Sequence, residues 1–320
     1  MKRPALLALS AALTYTASAC ECGVPHAINL PGETAPAGTI TASVRQEYLA
    51  ANSRYDGVHR QENPAGEFIA TSRTSLLVSV GVTHEFSIFV APQFLSRQYR
   101  ALHDGDIESG RTSGFGDMPF GVNYYDCLIH GEKAHLHLGL SAAASAPFGS
   151  TSKLREEVDH LTHHHGHSHG PTGAVHGHDL ALGTGSWGGI FGGRLVFEYE
   201  DWILEANAHY VLRTKGDYGY KYADSIGWGL LGGARVARTE YGVASLLISV
   251  TGAHSGDDEI EGTVYEKAGH DLIYAGPAVR FESAYGVTVD ARVELPVYVR
   301  TGDSHMIASW RGQIGVTVAF

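Results

Sequence analysis

Eight histidines crowd one stretch of the chain: His160, His163, His164, His165, His167, His169, His176 and His178, with Asp159 and Asp179 on either side. Neutral imidazole is the commonest protein ligand for Zn²⁺ and also suits Cu²⁺ and Ni²⁺. A tract this dense chelates without a folded site, because many ligand sets are within reach of one flexible segment. Gly166, Ser168, Gly170, Gly173 and Gly177 interleave the histidines, which predicts a mobile loop rather than a fixed tetrahedral centre. A solvated loop tip that binds no metal in the cell has the same composition. The expected ions are Zn, Cu or Ni, all held by this loop, and no cofactor is required.

A second set of residues is charged and periodic. Arg45, Glu47, Arg194, Glu198, Glu205, Arg213, Arg235, Arg280, Glu282, Asp290, Arg292, Glu294 and Arg311 all occupy the polar phase of segments whose alternate positions are apolar. They either line a water path for small polar or charged solutes or pair into a network that fills a narrow lumen. Mixed signs argue against a strongly selective anion or cation filter.

Catalytic constellations are sparse. The chain has no G-x-S-x-G, no H-E-x-x-H and no P-loop, so a nucleophile elbow, a zinc-protease helix and a nucleotide cradle are not expected. His209 and Ser249 share the polar phase, as any wet lumen would allow. Asp117 sits in a Gly-rich turn and is expected to cap backbone amides. Asp257, Asp258, Glu259 and Glu261 read as a solvated acidic loop. No enzyme is expected and no catalytic residue is assigned.

The elements that must carry these residues alternate with a period of two. Trp310, Gly312, Ile314, Val316, Val318 and Phe320 form one face of the last segment, opposite Ser309, Arg311, Gln313, Gly315, Thr317 and Ala319. Val287, Val289, Ala291, Val293, Leu295, Val297 and Val299 repeat the pattern against Thr288, Asp290, Arg292, Glu294, Pro296, Tyr298 and Arg300. Such alternation is the strand signature, and these runs exceed the ~5–6 residues usual in soluble sheets. A tilted strand of ~9–11 residues crosses a hydrocarbon layer. Twelve strands follow, at 38–49, 73–83, 86–98, 115–128, 134–147, 184–198, 202–214, 224–238, 241–252, 271–283, 286–299 and 306–320. Short links alternate with longer ones at 50–72, 99–114, 148–183, 215–223, 253–270 and 300–305.

An even number of strands with short turns at one end and long loops at the other is the layout of a bacterial outer-membrane barrel. Lipid offers no hydrogen bonds, so the sheet has to close on itself. A soluble sandwich or lipocalin-like barrel also alternates, but strand length and one-sided loops favour the membrane. The expected fold is all-β, a transmembrane antiparallel up-and-down barrel of about 12 strands. Tyr48, Tyr124, Tyr199, Trp202, Tyr285 and Trp310 suit interfacial girdles. Twelve strands lie between the filled eight and the open sixteen, so strand number alone does not decide conductance. The terminal Phe320, after Val316 and Val318, resembles the C-terminal signal read by the barrel-assembly machinery.

Composition agrees. Of 320 residues 40 are Gly and 43% are hydrophobic, with 34 acidic against 23 basic side chains. Disorder is disfavoured by the apolar content, and the acidic balance disfavours nucleic-acid binding. Lys2 and Arg3, the apolar run Ala5–Ala12 and Ala17-Ser18-Ala19 read as a signal peptide over residues 1–19. Residues 20–37 then form a periplasmic N-terminal segment and 38–320 the barrel, with 148–183 as the His-rich extracellular loop. Cleavage leaves Cys20 first; Ala17 stands where lipoprotein signals usually carry Leu. Cys20, Cys22 and Cys127 give no complete disulfide framework.

The segment from Ser113 to Tyr125 (SGFGDMPFGVNYY) resembles the G-x-GD-x-x-x-G-x-x-Y strand of the phenol meta-pathway degradation (MetA-pathway) family of outer-membrane proteins. Ser145-Ala-Pro-Phe-Gly149 is similar to that family's strand-ending P-T-G, with Phe148 in place of Thr. Leu182-Gly-Thr-Gly-Ser-Trp187 is similar to its L-G-x-G-S-aromatic strand opening. The resemblance implies a barrel and outer-membrane transport, without an agreed substrate or catalytic residues. The expected function is a channel for a small solute, molecule or metal ion, with divalent metal bound at its outer loop. The alternatives are a metal-sequestering or sensing surface protein on a non-conducting barrel and, further off, an outer-membrane hydrolase. Outer-membrane lipid is the expected partner throughout.

Overall fold

The computed structural model describes residues 37–103, 105–163, 173–265 and 268–320. Twelve strands form one antiparallel barrel: β1 Ile40–Asp56, β2 Phe68–Gly81, β3 in two pieces (Phe86–Val90 and Gln93–His103), β4 in two pieces (Asp106–Phe115 and Met118–His130), β5 Ala134–Ala146, β6 Gly188–Tyr199, β7 Trp202–Arg213, β8 Ser225–Thr239, β9 Gly242–Ser255, β10 His270–Ser283, β11 Val287–Thr301 and β12 His305–Ala319. Each pairs with its neighbours in sequence, and β1 closes the ring by pairing with both β2 and β12. At the seam Phe320 N–H donates to Ile40 O at 2.9 Å and Ile40 N–H donates back at 3.3 Å.

Alternation becomes an inside and an outside. Along β1 and β12, Val44 is 49% exposed and Ile314 51%, whereas Arg45 and Glu47 on the other phase are 1% and 5% exposed. Tyr199, Trp202, Tyr241 and Tyr285 are exposed at the short-turn end. The Tyr48–Trp310 and Phe120–Trp187 pairs, with ring centres 5.3 and 6.3 Å apart, stand nearer the long-loop end. An apolar outer band between aromatic girdles is the surface that hydrocarbon and headgroups select.

Two expected loops are shorter than 50–72 and 99–114 suggest. β1 runs on to Asp56, β2 starts at Phe68, and β3 and β4 continue as a hairpin pairing Phe94 with Phe115 through His103 with Asp106. The reason is a change of phase. In these outer ends several inward positions are apolar, with Leu95 1%, Tyr99 5%, Ile69 1% and Ala51 1% exposed beside the buried Arg97 and Thr71, while the outward Ser96 and Gln98 are polar. Water replaces lipid outside, and a folded loop replaces the wet lumen inside.

That loop connects β5 to β6 and contains helices α1 (Ser152–His163) and α2 (Gly177–Leu180). Ala174, Val175 and Leu180 pack with Ala51, Ile69, Tyr99, Ala101 and Met306 in one buried cluster. Leu154, Val158 and Ala181 pack with Tyr220, Tyr222 and Ile260 in another. The loop is therefore a cap seated in the outer mouth. The expectation of one mobile 148–183 loop is corrected for its described parts, because apolar residues flanking and interrupting the histidines give it a core.

Candidate functional site

Inside the wall, the charged positions meet. Arg194 Nη2 and Arg280 Nη2 reach the two oxygens of Glu205 at 2.8 and 2.6 Å, and Glu205 is fully buried. Arg311 Nε lies 2.8 Å from Glu294 Oε2, Arg292 Nε 3.8 Å from the same oxygen, and Ser249 Oγ donates to Glu294 Oε1 at 2.7 Å. Arg73 pairs with Glu47, and Arg45 Nη2 lies 3.9 Å from Asp290. Arg292 Nη2 donates to Gln313 at 2.8 Å, and Gln313 donates to Asp290 at 3.3 Å. A cavity of about 10 Å³, room for roughly one water, lies among Glu47, Arg292, Glu294 and Arg311. Nearer the short turns Arg235 pairs with Glu198 at 2.5 Å. Strand period and register put these side chains inside; their opposite signs join them into a belt.

Between belt and cap, one carboxylate ties together segments far apart in sequence. Asp117, 3% exposed, accepts from Gly149 N–H at 3.1 Å through Oδ1. Its Oδ2 accepts from Thr184 N–H at 2.8 Å and Thr184 Oγ1 at 2.6 Å. A Cβ on Gly183 would lie 2.5 Å from both Asp117 Oδ1 and Gly149 Cα, so the approach requires glycine there. The three motif segments of the family resemblance thus converge on Asp117, in the amide-capping role its Gly-rich turn suggested. The carboxylate fixes where the cap loop leaves β5 and where it re-enters β6.

The cap holds its own charged cluster. His178, 5% exposed, presents Nδ1 to Glu157 Oε1 at 2.8 Å and Nε2 to Asp179 Oδ1 at 3.3 Å, and its backbone N–H also donates to Glu157. Burial opposes its charge, yet the facing Glu157 and Asp179 carboxylates prevail and hold the imidazolium well above the usual histidine range. Glu157 is held below its ordinary value: burial opposes this, and the adjacent His178 charge and hydrogen bond overcome it. Burial pushes Asp179 up to about 7 and His176 down to about 4. The His176 ring stacks on His178 at 5.4 Å and meets His305 at 6.2 Å. Tyr222 OH donates to His178 O at 3.1 Å, and Tyr220 OH donates to Asp258 Oδ2 at 2.5 Å.

This arrangement sorts the sequence-derived residues. The thirteen charged positions from Arg45 to Arg311 all fall on the inward phase, and Glu282 opposes the buried Thr288. Arg213 donates to Ala223 O and to Ser225 Oγ at 3.1 Å, bracing a strand end rather than joining the belt. His176 and His178 lie in the cap, with His178 Nδ1 hydrogen-bonded to Glu157 and Nε2 3.3 Å from Asp179. His160 and His163 fall on α1, and His164, His165, His167 and His169 lie outside the described residues, as do residues 1–36 with the expected signal peptide, Cys20 and Cys22. Asp258 is 6% exposed and accepts from Tyr220 OH and Ala223 N–H beside the cap, a correction to a wholly solvated acidic loop. Ser249 is committed to Glu294 rather than to His209. Sequence reasoning missed Arg73, whose phase with Ser75 and Ser79 marks it as inward. It also missed Arg97, which donates to Ala181 O from the inward phase of the expected 86–98 strand.

No family model and no curated protein sequence matches the chain. Among solved structures it is similar to the COG4313 outer membrane channel from Pseudomonas putida F1, with a TM-score of 0.62 and 16% identity over 90% of this chain and 97% of that one. It also aligns with the beta domain of the Bordetella autotransporter BrkA, with a TM-score of 0.47 and 14% identity over 89% of this chain and 100% of that one. At these identities the first likeness speaks to the fold, a closed twelve-stranded antiparallel barrel.

Proposed function

We propose that the protein is an outer-membrane channel for a small polar solute, carrying a histidine-rich segment at its outer mouth that binds divalent metal. The observation that carries the reading is the belt: a closed barrel with an apolar exterior commits its interior to paired arginine and carboxylate side chains. Charges placed on the lipid face would cost about 2–4 kcal/mol each at the midplane for Arg or Lys. Inside, they polarise the route past the wall. The MetA-pathway resemblance and the Pseudomonas putida channel likeness support transport as the broad activity. The signal-like residues 1–19, the girdles and the terminal Phe320, 75% exposed beside the β1 seam, support delivery to the outer membrane by the barrel-assembly machinery.

Planar-bilayer conductance of the purified barrel tests the channel, with a variant lacking residues 164–172 alongside. This deletion removes His164, His165, His167 and His169 and leaves the cap cluster around Ala174–Leu180 in place. Discrete current steps in both proteins, with Zn²⁺ binding weakened in the variant, are the expected result. A barrel that never conducts but still binds zinc through the loop would replace transport with a second reading, a surface metal-sequestering protein on an anchoring barrel. The tightness of the lumen, with room for roughly one water among Glu47, Arg292, Glu294 and Arg311, favours that second reading.

A further inference from the structure

The hairpin joining β4 to β5 carries side chains that neither belt nor cap uses: Cys127, His130, His135 and His137. In a regular strand positions 127 and 130 point to opposite faces. A bulge between Cys127 and Ile129 changes this, pairing Cys127 with His137, Ile129 with Leu136 and His130 with His135. Leu128 and Ile129 consequently both face outward, 51% and 49% exposed. Directly opposed residues share a face, and the same phase contains the buried Asn123 and Gly139. The bulge therefore gathers one thiol and three imidazoles on the inner surface at the short-turn mouth. Bulges re-aim side chains in this way, commonly beside functional sites.

The geometry is close to a ligand set. One ligand atom from each of Cys127, His130 and His135 lies within 4.8 Å of the others. The His130 and His135 rings are 4.9 Å apart, and Cys127 Sγ sits 3.2 Å from Ile129 O. His137 stacks on Tyr125 at 5.3 Å and stands 6.3 Å from His135; its Nδ1 is buried and makes no hydrogen bond. Glu198, paired with Arg235, opposes His135 in the β5–β6 register. Tetrahedral coordination at about 2.3 Å for sulfur and 2.0 Å for nitrogen spaces ligand atoms about 3.5 Å apart. Side-chain rotation of about 1 Å completes the trio.

We propose that Cys127, His130 and His135 form a Zn²⁺ site at the short-turn mouth, with the fourth position open to water or an incoming ligand. Thiolate plus imidazole selects a borderline-soft ion over Mg²⁺ or Ca²⁺, and binding releases the thiol proton to solvent. The site stands independently of the outer histidine tract. Only its assignment to the periplasmic side rests on the outer-membrane reading above.

The test is Co²⁺ titration of the reduced, folded full-length protein in detergent, followed by Zn²⁺ competition. A near-ultraviolet thiolate-to-cobalt charge-transfer band at one Co²⁺ per chain, bleached by Zn²⁺, is expected. The outer tract contains no cysteine and cannot produce it. Cys127→Ser should abolish the band, and His130→Ala or His135→Ala should weaken Co²⁺ binding about tenfold or more. Cys20→Ser with Cys22→Ser should leave it unchanged. Heat-modifiable gel migration verifies that each variant is folded. A band that survives Cys127→Ser, no band in the folded wild type, or Cys127 recovered in a disulfide from membranes isolated without reductant would each overturn the site, whatever the conductance measurement shows.

Discussion

Glu205 and His178 are mirror images. One is a buried anion between two cations, Arg194 and Arg280; the other is a buried cation between two anions, Glu157 and Asp179. Glu205 draws its partners from the inner faces of different strands, and guanidinium groups remain charged across the physiological range. His178 draws its partners from its own loop, and imidazole is the side chain whose charge most readily changes near neutrality. The belt is thus insensitive to pH by its chemistry, whereas the cap is adjustable. A permanent wall and a responsive mouth are built from the same motif with the signs reversed.

The strongest way to break the comparison is to remove the central group of the belt. Glu205→Ala leaves two buried guanidinium groups facing each other and should cost about 3–5 kcal/mol, read as a lowered urea midpoint of the barrel in lipid vesicles. An unchanged midpoint would mean that the belt contributes nothing to stability. Asp117→Ala comes next. It strips three hydrogen bonds from the carboxylate that fastens the cap loop, and should loosen that loop by about 3 kcal/mol. Limited proteolysis within 147–187 should accelerate while the barrel stays folded; equal cleavage rates would show that the cap is held elsewhere.

The pH response sharpens the contrast. The raised His178 contributes stability that is full below its unfolded value near 6.5 and is lost as pH rises through its elevated folded value. Asp179, raised by burial to about 7, acts in the same direction: its contribution is full below its unfolded value near 3.9 and is lost as pH rises toward 7. Glu157, depressed, contributes above its unfolded value near 4.3 and loses that contribution as pH falls through its folded value. Amide protection factors across 173–182, corrected for the intrinsic pH dependence of exchange, should therefore be highest in mildly acidic buffer and fall several-fold above about pH 7, with belt protection factors unaffected. Glu157→Gln should flatten the profile; an unaltered profile would reject the triad as its source. The smallest effect belongs to the exposed Lys133–Glu200 pair, 2.5 Å apart at a short turn. Lys133→Ala should shift the urea midpoint by no more than about 0.5 kcal/mol of stability.

The wall was legible because a membrane imposes one rule at every position. Val44 against Arg45, or Ile314 against Gln313, states the side of the sheet without reference to any other segment. The outer ends of β1 to β4 were misjudged because that rule changes where lipid stops. Tyr99 and Ala101 point inward onto the cap, a surface that exists only once the loop has folded. Sequence reading placed Glu205 and Arg280 inside but could not pair them, since strand number and stagger decide which inward residues meet.

The amino-acid order by itself determined the twelve strands, their two faces and the ring of inward charges, because alternation is local and lipid cannot satisfy an open edge. Tertiary structure alone decided that Asp117 joins three distant motifs, that His178 is enclosed by Glu157 and Asp179, and that a bulge turns Cys127 and His130 to one face. Each of these depends on contacts across tens of residues or on a one-residue slip in register. Local periodicity holds no record of either.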